Sequence, residues 1–301
     1  MQADAPTMIG INEAHKRSSI KALTQLKLHI SEGFACMRPG ALIDAHVHYY
    51  SAYDTQRFLD AASQGFADHA EGNAVRVLCM AESASDNWFA SLLEPDSLVN
   101  TNWQRFSTNE PQSLRLQRQS DNAELLIIAG HQCVTAEDIE VLMLGQSAKH
   151  PDGEPASQVV RAALNAQALP LLPWGFGKWF GARGELVKSL MAEFGHDLLL
   201  GDNSGRLEGT PTPALLRAGE EAGHCMLPGS DPLPMRGEEH KVASYGAYLE
   251  GNISLETPFA DLQALITKGV KPQPFGGGET LLRFVRNQLL MQKRKRYPAR
   301  G

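Results

Sequence analysis

The chain of 301 residues is 43% hydrophobic, 7% aromatic and 21% charged, the makeup of a soluble globular protein with room for one large barrel or two modest domains. A formal net charge of -6 gives no overall bias toward nucleic acid or an anionic membrane surface. No apolar run approaches the roughly 20 residues that span a bilayer, and residues 1–10 lack the basic-then-apolar pattern of a secretory signal. The expectation is a cytoplasmic protein with a small-molecule substrate and no nucleic-acid or membrane partner. Cys36, Cys79, Cys133 and Cys225 are scattered without a CxxC pair, which reads as reduced, mostly buried thiols rather than a thiolate zinc site.

Short apolar runs alternate with helical patterns along the chain. Residues 41–43 form the first strand, followed by a helix over 55–70. The second strand, 75–80, is followed by a helix over 88–98. The polar stretch 94–121 reads as a long loop or an inserted hairpin. Two strands then stand close together, 125–129 and 139–144, with too few residues between them for a crossover helix. Alternation resumes with a helix over 157–167, a strand at 169–173, a helix over 185–194 and a strand at 197–201. A helix over 213–223 carries Pro near its start and Gly at its end. Strands at 225–228 and 242–249 and helices at 258–268 and 279–293 complete the series.

Continuously apolar strands, each followed by a helix, imply a parallel sheet covered on both faces. The expected fold is α/β, a single distorted TIM-like β/α barrel with parallel strands over residues 41–275. Residues 1–40 are expected to form a helical N-terminal extension, and 276–301 a C-terminal helix ending in a basic tail. That tail reads as a solvated helix end rather than a nucleic-acid module.

His46 and His48 stand at the end of the first strand in the run Ile43-Asp44-Ala45-His46-Val47-His48. Residues two apart on an extended chain share a face, so the two imidazoles converge on one point, as ligands of a divalent metal must. The same geometry suits a hydrogen-bonded pair lining a pocket without metal. At the C-terminal mouth of a barrel, either arrangement marks a site.

Three segments resemble the amidohydrolase-like and PHP-type metal-dependent hydrolases: the run around His46 and His48, residues Ile128 to Gly145 containing His131 and Gln132, and Gly229-Ser230-Asp231-Pro232. The resemblance spans Leu42 to Leu233 and implies a distorted barrel whose metal ions activate water to hydrolyse a phosphoester, amide or lactone. Carried onto this sequence, His46 and His48 become first-strand metal ligands. Asp231 becomes the late-strand carboxylate that holds metal or takes a proton from water. The pattern departs where a ligating glutamate is expected, because His131 and Gln132 stand there. It departs again at Asp231-Pro232-Leu233, which lacks the usual histidine. The expected cofactor is therefore zinc, manganese or iron, as a single ion or none.

Other polar residues at strand ends complete the expected pocket. Glu82 is a further metal ligand or a helix-start carboxylate, and His131 a ligand if it faces inward. Trp174 offers a flat face to a ring or sugar within an aromatic, Gly-rich loop that also carries Lys178. Asp202 and Asn203 belong to a polar turn that presents Arg206 to an anionic group, with a plain turn as the other reading. Lys178 and Arg206 join Asp231 as candidates for catalysis. The alternative to a metal-dependent hydrolase is a degenerate barrel that binds a small anionic or sugar-like ligand, or scaffolds a partner, without catalysis.

Overall fold

The computed structural model describes residues 39–70, 73–282 and 285–287. The expected N-terminal extension (except for 39–40), most of the C-terminal helix and the basic tail lie outside these residues. Strand β1 (Gly40–Val47) is buried along its whole length. Helix α1 (Thr55–Ala67) follows it, and its apolar residues Phe58, Leu59, Ala62 and Phe66 recur at helical spacing and face the core. The Asp54 carboxylate accepts from the Arg57 N–H at 2.9 Å and so caps the first turn. Strand β2 (Val75–Met80) pairs parallel with β1, as a strand reached through a crossover helix should.

Helix α2 (Trp88–Leu92) is only five residues long. The polar stretch after it contains an inserted hairpin, β3 (Trp103–Ser107) and β4 (Ser113–Arg118), paired antiparallel. Strand β5 (Glu124–Ile128) then lies parallel to β2 and antiparallel to β4. After Ala129 the chain enters β6 (Gly130–Val134), which forms a hairpin with β7 (Glu140–Leu144). A Cβ on Gly130 would lie 2.0 Å from the Met80 carbonyl oxygen, so this passage beside β2 needs glycine.

The next elements are α3 (Ala156–Asn165), β8 (Leu169–Pro173), α4 (Ala182–Phe194), β9 (Leu199–Gly201), α5 (Ala214–Glu221), β10 (Tyr245–Glu250), α6 (Pro258–Thr267) and β11 (Gln273–Gly276). They complete two sheets: seven strands in the order β11-β10-β1-β2-β5-β4-β3, and four in the order β6-β7-β8-β9. The fold is therefore mixed α/β, in place of the expected single sheet of parallel strands. Only β1–β2, β2–β5 and β8–β9 are parallel pairs among the described strands. Hairpin connections too short to cross a sheet impose the antiparallel pairs β3–β4 and β6–β7.

Among the described residues, backbone hydrogen bonds link the two sheets on two sides. Glu82, just beyond β2, donates to Gly130 O and accepts from Gln132 N. On the other side, residues 225–231 run between β9 and β1. Leu227 N donates to Leu200 O at 2.9 Å, Ala45 N to Pro228 O at 3.2 Å, and Asp231 N to His46 O at 2.9 Å. The expected strand at 225–228 is this connecting segment, joined by isolated bridges.

Three apolar clusters follow from these layers. One packs α1 and α2 on the seven-stranded sheet, with Leu42 and Val47 from β1. A second joins both sheets and α6, with Ala41, Ile43 and Ala45 from β1 against Leu142, Leu171 and Leu199. A third packs α3, α4 and Leu216 on the outer face of the four-stranded sheet. None of the described helices is long and apolar enough to cross a membrane.

Candidate metal centre

The site begins with an irregularity in β1. Asp44 pairs with Leu78 but Val47 pairs with Met80, so three steps on β1 oppose two on β2. Such a bulge shifts the alternation of side chains by one position. Ala45 packs in the cluster between the sheets, whereas Val47, two residues on, packs in the cluster with α1. The shift turns His46 and His48 together toward the space where the sheets meet. Both are 3% exposed. Their Nε2 atoms lie 3.0 Å apart.

Asp231 reaches them from the connecting segment. Its Oδ1 lies 3.7 Å from the Nε2 of each histidine. Its backbone adopts φ +45°, a left-handed conformation uncommon for a residue other than glycine. Close approach of the two chains makes the contact possible. A Cβ on Gly229 would lie 2.3 Å from the His46 nitrogen. Asn203 donates from Nδ2 to Asp231 Oδ2 at 2.9 Å, which leaves Oδ1 for the imidazoles. Gln132 turns its amide oxygen to within 3.3 Å of His46 Nε2.

Beneath the cluster lies Asp44, wholly buried. Its carboxylate accepts from Ser230 N and Ala243 N, both at 2.8 Å, from the Ser230 hydroxyl, and from His46 N at 3.3 Å. Burial pushes its carboxyl up to about 6, against the lowering effect of these donors. Burial and the neighbouring His46 push His48 down to about 3, so its ring is neutral and keeps a lone pair at neutral pH. For Asp231, burial opposes ionisation, but His46, His48, Lys178 and Lys241 outweigh it and hold the carboxyl below its ordinary value.

One ligand atom from each of His46, His48 and Asp231 lies within 4.8 Å of the others, the only such trio of metal-ligating side chains found among the described residues. A tetrahedral ion with bonds of about 2.0–2.1 Å spaces its donors about 3.3 Å apart. Separations of 3.0, 3.7 and 3.7 Å bracket that figure, and two imidazoles with one carboxylate form a common divalent-metal donor set. The residues present fit an ion. One feature departs from the usual pattern: Nδ1 of each histidine is buried without a hydrogen-bond partner, where metal-bound histidines ordinarily donate to a second group. His48 is held instead by stacking on Tyr50, with ring centroids 5.4 Å apart.

The structure places the other expected residues elsewhere. Glu82 uses its carboxylate to accept from Phe89 N at 2.5 Å, in the first turn of α2, which is its helix-start reading. His131 faces away from the centre. On β6, His131 and Cys133 lie opposite Met143 and Val141 of the outer cluster, whereas Gln132 lies opposite Leu142 of the cluster between the sheets. His131 Nε2 pairs with the His150 carbonyl at 2.9 Å. Arg206 is engaged by Asp202 at 2.9 Å and by the Thr210 carbonyl at 2.8 Å, and Asp202 also accepts from the Tyr245 hydroxyl. Lys178 pairs with Glu140, and its charge acts on both His48 and Asp231. Trp174 packs partly buried against the outer cluster and lines a groove with Phe176 and Phe180. Asp44, Gln132 and the tether role of Asn203 complete the centre; sequence reasoning gave none of the three that function. A parity count along 130–134, with apolar Cys133 marking the face of the outer cluster, puts His131 on that face and Gln132 on the opposite one.

No protein-family model matches the chain, and no curated protein does. Among solved structures, the chain is similar to PsfC from Pseudomonas syringae PB-5123, at 14% identity and a TM-score of 0.53 over 85% of this chain and 98% of that one. It also resembles the lesion-specific endonuclease PfuEndoQ from Pyrococcus furiosus, at 13% identity and a TM-score of 0.47 over 79% of this chain and 59% of that one. A third is a two-domain protein containing a predicted PHP-like metal-dependent phosphoesterase from Bacteroides vulgatus ATCC 8482, at 12% identity and a TM-score of 0.45 over 80% and 66%. The likeness to PsfC concerns the fold alone, and the two weaker ones decide nothing further.

Proposed function

We propose that the chain is a metal-dependent hydrolase of the PHP or amidohydrolase-like type, built as a strongly distorted barrel. The ring of backbone bonds from β1 through β2, β6, β7, β8, β9 and the 225–231 segment back to β1 supports the barrel reading. The convergence of His46 Nε2, His48 Nε2 and Asp231 Oδ1 on one point carries the functional reading. A divalent ion held there would supply Lewis acidity, polarising the scissile group and making water a better nucleophile.

The chain's own residues set the conditions for that chemistry. His46 and His48 are the imidazole donors, and Asp231 is the carboxylate donor that Asn203 fixes by its second oxygen. Lys178, Trp174, Asp202, Asn203 and Arg206 are proposed for substrate. Of these, Lys178 is best placed for an anionic group, since its field already reaches His48 and Asp231. A phosphoester is the favoured substrate class, with amides and lactones next.

A second reading, a barrel that binds a ligand without catalysis, draws on two observations. The two Nε2 atoms stand at hydrogen-bonding distance, and neither Nδ1 has the usual second partner. One experiment separates the readings. Protein purified without chelator is assayed for metal, titrated with zinc, manganese and iron(II), and tested on phosphoester, amide, lactone and nucleic-acid substrates. The hydrolase reading expects one bound ion, a melting temperature raised by about 5–10 °C at a hundredfold excess over Kd, and turnover that His46→Ala abolishes. Absence of stoichiometric metal and of any shift would sink it.

A further inference from the structure

Gln132 stands apart from the other polar groups around the centre. It projects from the middle of β6 into the space between the sheets, with its amide oxygen 3.3 Å from His46 Nε2. An amide carbonyl is a hard, neutral oxygen donor of the kind divalent ions accept alongside imidazole and carboxylate. Its oxygen and Asp231 Oδ1 both lie within 3.7 Å of His46 Nε2, the atom that would bind the ion.

The nearby carboxylates are committed elsewhere. Asp44 is used by Ser230, Ala243 and His46 N, Glu82 by Phe89 N, Asp202 by Arg206 and Tyr245, and Glu140 by Lys178. A second ion would need a bridging or additional carboxylate, and each of these four already serves another partner. Resting on the proposed metal-dependent reading, we infer that Gln132 is the fourth protein ligand of a single divalent ion, in a centre of two histidines, one aspartate and one glutamine.

The charge balance gives this set a consequence. A divalent ion with one carboxylate keeps a net charge of +1, whereas a glutamate at 132 would cancel it. The remaining positive charge adds to the field that Lys178 already exerts on His48 and Asp231, and favours an anionic substrate group over a neutral one. Gln132 thus acts on both the affinity for the ion and the choice of substrate.

The test is a competition titration of wild type, Gln132→Ala and Gln132→Glu against a chromophoric chelator with zinc and manganese. It is run beside the visible absorption spectrum of each cobalt(II)-loaded protein. Metal-free melting temperatures control for folding. The expected results are one ion per chain in wild type, zinc affinity about tenfold weaker in Gln132→Ala and tighter in Gln132→Glu, with a changed cobalt spectrum in Gln132→Ala. Equal affinities and an unchanged spectrum would overturn the role of Gln132 while leaving the hydrolase reading intact. Two ions per chain in wild type would overturn the single-ion centre. No ion in wild type would remove the metal-dependent reading itself, and this inference with it.

Discussion

The Asp44 carboxylate holds Ser230 by both its backbone N–H and its hydroxyl, across 186 positions of sequence. This bond pair fastens the segment that carries Asp231 to the strand that carries His46 and His48. Asp44 is therefore the mechanical base of the centre although it is no ligand in it. Asp44→Ala strips the acceptor from three buried N–H groups and a buried hydroxyl, counting Ala243 and the longer bond to His46. Each orphaned buried donor costs about 1–3 kcal/mol, offset where water enters, so a loss of roughly 3–5 kcal/mol is expected. Urea unfolding of the metal-free protein measures it. A loss under 1 kcal/mol would show that the 229–231 turn is held by other means. Asp44→Asn, which keeps one acceptor oxygen, should fall between the two.

Gly229 makes a different demand on the same junction. Any side chain there meets His46 N at 2.3 Å and His46 Cβ at 2.5 Å. These are backbone-proximal atoms that cannot swing aside. Gly229→Ala should push the connecting segment away from β1, cost about 2–4 kcal/mol as overpacking, and move Asp231 off the imidazoles. Metal affinity is expected to fall more than a hundredfold while the helical content stays as in wild type. A stable, metal-binding Gly229→Ala protein would contradict the close approach.

How much of this was readable from sequence differs by element. Strands 75–80 and 169–173 coincide with β2 and β8, because short apolar runs bounded by polar or Gly residues leave few alternatives. The convergence of His46 and His48 was also readable, since it needs only period-two alternation. Strand direction was not. Continuous apolarity in 140–144 reports that β7 is covered on both faces, Leu142 by one cluster and Val141 by another. That is equally true of an antiparallel strand. The bulge in β1 was also hidden. It depends on Ala45 N bonding to Pro228 O, a partner far along the chain that no local pattern announces. The partnership of Asp44 with Ser230 is hidden for the same reason.

The acid response of the metal-free protein follows from two opposed shifts. His48 is held near 3 in the fold against an ordinary value of 6.5, so its contribution to stability is complete above 6.5 and is lost as pH falls toward 3. Asp44 is held near 6 against 3.8, so its contribution is complete below 3.8 and is lost as pH rises through 6. Between about pH 6 and 4 the two slopes, each up to about 1.4 kcal/mol per pH unit, oppose one another. Wild type should be nearly level there. Replacing His48 by Gln removes one slope, so the variant should gain up to roughly 2 kcal/mol relative to wild type between pH 6.5 and 5. Urea midpoints across pH 4–7.5 give the difference, and a variant that runs parallel to wild type would show that His48 takes no part in it.

Asn203 tests whether orientation alone matters at the centre. Its Nδ2 donates to Asp231 Oδ2 at 2.9 Å while its Oδ1 accepts from Gly205 N at 3.1 Å, so the side chain bridges its own turn and the carboxylate. Asp231 depends on that bridge because Asn203 is the donor that holds Oδ2 and so leaves Oδ1 to face the imidazoles. Removing the amide should cost less stability than Asp44→Ala, since Asn203 is buried outside the apolar clusters and only the Gly205 N–H loses its acceptor. With Asp231 free to rotate, zinc affinity should fall about 10- to 100-fold, the usual effect of losing a group that orients a ligand. Asn203→Asp places a second negative charge beside Asp231 and should raise the Asp231 carboxyl toward its ordinary value, shifting the acid limit of metal binding to higher pH. Zinc titrations of Asn203→Ala and Asn203→Asp from pH 5 to 8 decide the matter. Wild-type affinity in both variants would mean that His46 O, which accepts from Asp231 N, suffices to aim the carboxylate.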